Sequence, residues 1–133
     1  MNLTRRFAIL TAAVCLAVPA AAQSYPDKPI TFIVPFAAGS ATDQLARALG
    51  QGVTGLTKQQ VVVDNKPGAN SFLGAQAAAR APKDGYTVFI TTNTTQAANE
   101  HLFKSLPYGP VKDFEPVALL SQGRQILVDN NGL

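Results

Sequence analysis

The chain has 133 residues, of which 47% are apolar and 14% charged, enough to bury one ordinary core and too apolar for a disordered tail. Its formal charge of +3 comes from 11 basic and 8 acidic residues. Past Arg6 the lysines and arginines are scattered singly from Lys28 to Arg124, with no run and no interleaved aromatics, so a nucleic-acid partner has no electrostatic footprint.

The first residues read as an export signal. Arg5 and Arg6 precede an apolar run from Phe7 to Val18, and Pro19-Ala20-Ala21-Ala22 places small residues where a signal peptidase cuts. The run is well short of the roughly 20 apolar residues that span a bilayer. Residues 1–22 are therefore expected to be a cleaved secretory signal, exported through the inner membrane by either the general or the twin-arginine route, with a periplasmic product from residue 23. That product keeps nine basic and eight acidic residues and lacks cysteine, since Cys15 lies inside the apolar run.

After residue 25, short β-rich runs alternate with alanine-rich helical stretches, the pattern of an α/β layer with a largely parallel sheet. The first strand is expected at Ile30–Val34, stopped by Pro35. A helix should start near Thr42, with Ser40 or Thr42 as cap and Asp43 in the first turn. Its far half is expected to fail, because Gly50, Gly52 and Gly55 each cost about 1 kcal/mol relative to alanine inside a helix. A second strand follows at Gln60–Asp64, then a turn at Asn65-Lys66-Pro67-Gly68. A helix from Ser71 to Ala81 is stopped by Pro82, and the turn Pro82-Lys83-Asp84-Gly85 leads into a third strand, Tyr86–Thr91. Thr94–Lys104 can form a short helix, Pro107 and Pro110 bracket a loop, and β-rich runs recur at Pro116–Leu120 and Gln125–Asp129.

Catalytic and metal chemistry lack their motifs. His101 is the lone histidine, expected at the surface or in helix packing, and it cannot make a multi-histidine metal site or find a cysteine co-ligand. Gly50-Gln51-Gly52-Val53-Thr54-Gly55 matches G-x-G-x-x-G in letters, yet it ends a helix instead of following a strand, so it is no dinucleotide fingerprint. A constellation suited to an anion remains. The loop Phe36-Ala37-Ala38-Gly39-Ser40-Ala41-Thr42-Asp43 joins a strand end to a helix N-terminus, where free amides and the helix dipole attract a carboxylate or phosphate. The loop Thr91-Thr92-Asn93-Thr94-Thr95-Gln96 follows the third strand on the same edge of the sheet and offers hydroxyls and amides. Both segments could equally be no more than helix caps and turns.

These segments stand in a recognisable order. Tyr25-Pro26-Asp27-Lys28-Pro29-Ile30, Val34-Pro35-Phe36-Ala37-Ala38-Gly39-Ser40-Ala41-Thr42-Asp43, Val62-Val63-Asp64-Asn65-Lys66-Pro67-Gly68-Ala69, Asp84-Gly85-Tyr86-Thr87, Leu106-Pro107-Tyr108 and Lys112-Asp113-Phe114-Glu115-Pro116-Val117 together resemble the tripartite tricarboxylate transporter substrate-binding family, also called the Bug family of periplasmic solute-binding proteins. The resemblance implies an α/β, periplasmic-binding-protein type II-like lobe. It also implies a monomeric, non-catalytic receptor that needs no cofactor, closes two lobes on a small organic acid such as a di- or tricarboxylate or an amino acid, and in some members delivers it to membrane transporter subunits. Carried onto this chain, the ligand-binding residues are Phe36, Ala37, Ala38, Gly39, Ser40, Thr42 and Asp43 in the first loop and Thr92, Asn93 and Thr94 in the second. The chain departs from the family pattern at Gly39-Ser40 and Asn70-Ser71, where glycine pairs are usual. Family members are much longer, so residues 23–133 are expected to be a partial first lobe with the second lobe absent, able to bind only weakly because closure is what buries the ligand. The alternative is a truncated, degenerate copy with no ligand-binding activity.

Overall fold

The structure, a computed structural model, describes residues 25–123; the expected signal at 1–22 and the β-rich run at 125–129 lie outside the described residues. Strand β1 is Ile30–Val34, as its apolar run predicts, and Pro35 ends it by removing a ladder donor. β2 spans Val61–Asn65 and β3 spans Thr87–Phe89. Both pair parallel to β1, Ile30 opposite Val61 and Thr31 opposite Thr87, in the order β2-β1-β3. β1 is thus the central strand, covered on both faces, which is why it reads as an unbroken apolar run.

Helix α1 spans Ala41–Thr57, and the Ser40 hydroxyl caps it by accepting from the Asp43 amide at 3.3 Å. The expected failure at the glycines does not occur. Ala46, Leu49 and Val53 lie on one helical face and pack on Ile30, Phe32 and Val34, and that burial outweighs the glycine penalties. Gly50 has a packing reason as well, since a methyl there would come within 3.0 Å of Val61 Cγ1. The helix ends at Lys58, which takes a left-handed conformation with φ 63° and donates its amide to the Thr54 carbonyl.

β2 runs one residue further than expected, because Asn65 pairs with Val34 and the next amide, of Lys66, donates to the Val34 carbonyl at 2.8 Å. Gly68 then takes φ 120°, and Ala69, Asn70 and Ser71 take φ 46°, 51° and 73°. Two of these lie where the family pattern has its glycine pair, and left-handed backbone is the reason glycine suits them. Helix α2 is Phe72–Ala79, shorter than the expected Ser71–Ala81 because the Ala81 amide closes a tight last turn on the Ala78 carbonyl before Pro82. Gly74 sits so close to β1 that an added methyl would stand 2.7 Å from Pro35 Cβ. Right-handed crossovers to opposite sides of β1 put α1 and α2 on opposite faces of the sheet. On the α2 side, aromatic rings interlock, Phe72 with Phe103 at 4.9 Å between centroids and Phe89 with Phe114 at 5.4 Å.

β3 is shorter than the expected Tyr86–Thr91. The expected helix Thr94–Lys104 is instead a π-helical turn, Thr94–Ala98, followed by a short helix α3, Asn99–Leu102. His101 on α3 is exposed. Pro116–Leu120 forms no strand, since no segment among the described residues pairs with it. At the opposite end of the sheet the start of the described chain is pinned to the turn before β3. Tyr25 donates its hydroxyl to the Gly85 carbonyl at 2.7 Å, and Lys28 meets Asp84 at 2.8 Å.

Candidate functional site

From β1 the chain crosses to β2 on one side, and later to β3 on the other. The carboxyl ends of β1 and β3 therefore flank a topological switch point, where adjacent connections leave in opposite directions and a crevice opens. A groove of about 1030 Å³ lies there, lined by Ala41, Thr42 and Leu45 of α1, by Ile90, Thr91, Thr92, Asn93 and Gln96, and by residues 118–123 along one rim. None of these lining side chains is ionisable, so an anion in the groove would meet only backbone dipoles, hydroxyls and amides.

The β1–α1 loop forms one wall's support. The Ser40 amide donates to the Ala37 carbonyl at 3.1 Å, closing a turn whose third residue, Gly39, has φ 85°, the signature of a type II turn. Gly39 is required there by that positive φ. The Gly39 amide donates to Asp43 Oδ2 at 2.8 Å. The amides of Ala37, Ala38, Ala41 and Thr42 find no partner among the described residues, leaving an open helix N-terminus at the groove.

Asp43 faces inward instead. Its side chain is 2% exposed and accepts from Arg47 Nε at 2.9 Å, the Gly39 amide, and Asn65 Nδ2 at 2.9 Å. These contacts, Arg47 foremost, then Gly39 and Asn65, hold its carboxyl down at about 2.

The other wall carries polar atoms with nothing to bind. Thr91 Oγ1, Thr95 Oγ1 and Gln96 Oε1 are buried without a hydrogen-bond partner among the described residues, a state that costs free energy unless a ligand or water completes it. Thr91 and Gln96 line the groove, and Gln96 is fixed from behind by donating its Nε2 to the Pro110 carbonyl at 3.0 Å. The π-turn that presents Gln96 is braced from below, where the Tyr108 hydroxyl donates to the Thr95 carbonyl at 2.6 Å. Asn99 Nδ2 reaches the Asn70 carbonyl at 3.0 Å and the Tyr108 oxygen at 3.2 Å. Single π-turns of this kind recur at functional sites.

Of the residues expected at the site, Thr42, Thr92 and Asn93 come together on the groove. Phe36, Ala37, Ala38, Gly39 and Ser40 build the supporting loop without lining the groove, Asp43 lies behind it, and Thr94 opens the π-turn at the surface. Sequence reasoning reached the segment holding Thr91 and Gln96 but did not single them out, and it passed over Leu45 and Ile90. Helical spacing could have found Leu45, four residues after Ala41, because an apolar residue there faces the same side as the open N-terminus.

An α/β lobe with a central first strand, parallel neighbours on both sides and a neutral crevice at the switch point is a lobe of the periplasmic-binding-protein type. MatC of Rhodopseudomonas palustris with bound malate superposes with a TM-score of 0.69 at 38% identity, over 72% of this chain and 33% of that one. The periplasmic binding protein BugD superposes with a TM-score of 0.64 at 39% identity, over 69% and 30%. Residues 45–131 match the model of the tripartite tricarboxylate transporter family receptor, and the chain belongs to that family. It is 36% identical to the protein BugT of Bordetella pertussis over 134 aligned positions, which take in 98% of this chain and 41% of BugT. The chain thus spans less than half the length of the curated relatives it matches.

Proposed function

We propose that the chain supplies the groove that holds one carboxylate end of a small organic acid in a periplasmic receptor, which passes its ligand to a membrane transporter and performs no catalysis. The carrying observation is that one neutral groove brings together the open α1 N-terminus at Ala41 and Thr42 and the unpartnered Thr91 hydroxyl, all able to donate to a carboxylate, while Gln96 Oε1 can accept from a ligand hydroxyl or a water. Amides and the helix dipole favour the carboxylate, while Leu45 and Ile90 offer apolar surface to a short carbon chain. The malate bound to MatC, and the adipate bound to a second R. palustris protein at 34% identity and a TM-score of 0.62, favour an organic acid over a phosphate. The basic and apolar segment at residues 1–22 supports export to the periplasm. No helix among the described residues is long and apolar enough to cross a membrane.

The test is an NMR titration of the isotope-labelled chain with malate, adipate and citrate at millimolar concentrations, which detects the weak binding expected of a groove open on one side. Saturable shifts at the amides of Ala41, Thr42, Thr92 and Asn93 are the expected result. Spectra indifferent to all three acids, from a chain that unfolds cooperatively, would refute the reading and leave a folded lobe without binding activity. Cell fractionation with intact-mass measurement tests export, a periplasmic product beginning at Gln23 being expected.

A further inference from the structure

We propose that Asp43, Arg47 and Asn65 form a clamp that fixes the shape of the β1–α1 loop, acting as positioning residues that do not touch the ligand. The purpose assigned to that loop rests on the receptor reading above.

Two segments of the chain meet at this clamp, residues 36–47 and the end of β2. Asn65, the last residue of β2, donates its Nδ2 both to the Phe36 carbonyl at 3.0 Å and to Asp43 Oδ1 at 2.9 Å, and its own oxygen accepts from Arg47 Nη2 at 3.1 Å. Arg47 in turn donates its Nε to Asp43 Oδ2 at 2.9 Å, and the same oxygen accepts the Gly39 amide at 2.8 Å. The ring is closed: both Asp43 oxygens and both ends of the Asn65 amide are occupied, with Asp43 only 2% exposed. No atom of Asp43 is left to contact a ligand, although its place in the first turn makes it a natural candidate from sequence.

The clamp acts on the site in two ways. It ties Phe36, just before the turn, to Asn65 directly and Gly39, its third residue, to Asn65 through Asp43, and the position of Asn65 is set by its pairing with Val34. The amides of Ala41 and Thr42, which it leaves unbonded among the described residues, are the ones available at the open N-terminus. The second effect is electrostatic. A lone carboxylate in the first turn would repel an incoming acid, and the Arg47 guanidinium, bonded to it, cancels that charge locally so that the positive end of the helix dipole remains.

Asn65→Ala and Asp43→Asn are tested by two readouts, the hydrogen-exchange rate of the Gly39 amide and the malate concentration that half-saturates the Ala41 and Thr42 shifts. Losing the three Asn65 bonds, or weakening the charge-assisted ones at Asp43, should raise both by about tenfold or more. Each variant is also placed in a Gly52→Ala, Gly55→Ala background chosen to restore its melting temperature. A positioning role predicts that stability returns while Gly39 exchange and malate response stay impaired. Recovery of the malate response together with the melting temperature would overturn the proposal, as would wild-type exchange and response in both variants. If the parent chain ignores malate, the receptor reading fails for that acid. The clamp is then decided by Gly39 exchange alone, faster in both variants if it holds the loop and unchanged if it does not.

Discussion

Filling the glycines of α1 should stabilise this protein, and unequally. At Gly52 and Gly55 an added methyl meets nothing within 4 Å, whereas at Gly50 it meets Val61 Cγ1 at 3.0 Å and Val61 Cβ at 3.3 Å. Glycine costs about 1 kcal/mol relative to alanine in a helix interior, partly through the unfolded chain's extra freedom. Gly52→Ala and Gly55→Ala should each return roughly that amount, and the double variant about 1.5–2 kcal/mol, since the two new methyls share no neighbour. For a domain of about this size that corresponds to a rise of roughly 5–10 °C in melting temperature. Gly50→Ala gains the same propensity but must push Val61 aside by a few tenths of an ångström, so its net effect should fall near zero or below. Urea unfolding followed by far-ultraviolet circular dichroism would rank the variants. Equal stabilisation at all three positions would refute the close contact with Val61, and destabilisation at Gly52 would refute a continuous helix to Thr57.

Gly74→Ala should destabilise by about 1–3 kcal/mol, because the methyl would meet the Pro35 side chain at 2.7 Å and its Cα at 2.9 Å; unchanged urea stability would contradict the tight packing of α2 on β1. Asp43, held at about 2 against an ordinary 3.8, contributes stability that is present above the higher value and lost as pH falls from there toward the lower. Unfolding midpoints measured between about pH 5 and about pH 2 should therefore fall more steeply for the parent chain than for Asp43→Asn, and parallel curves would rule this out. Thr91→Val removes a buried hydroxyl that has no protein partner, so stability should hold or rise by up to about 1 kcal/mol while the malate response weakens. A clear loss of stability with an unchanged malate response would show that the hydroxyl serves the fold alone.

Much of the fold is legible in the sequence because its strongest signals are local. Ile30–Val34 is bounded by Pro35, and Ser40 with Asp43 marks the helix start by capping chemistry. What the sequence hides is decided at a distance. α1 survives its glycines because Leu49 and Val53 find the sheet, a gain invisible to a propensity argument. β2 gains Asn65 through pairing with Val34, and the π-turn at Thr94–Ala98 is braced by Tyr108, a residue beyond any helical window. The site divides the same way. Strand-end and helix-start logic points to Thr42, Thr92 and Asn93, which line the candidate groove, whereas Asn65 reads as the start of a turn, and only the folded chain brings its amide to Asp43.

The central strand of this sheet is also the first in the chain, and that order shapes how the protein must fold. Ile30 has to wait for Val61, and Thr31 for Thr87, before either edge of β1 is paired. Until then a short apolar strand stands open on both sides, the kind of segment that recruits other chains. Each pairing must close a long loop through a complete helix, an entropic cost that the local contacts of a helix do not carry. The central strand therefore stays without a partner on one edge until residues 61–65 have joined it, and on the other until residues 87–89 have.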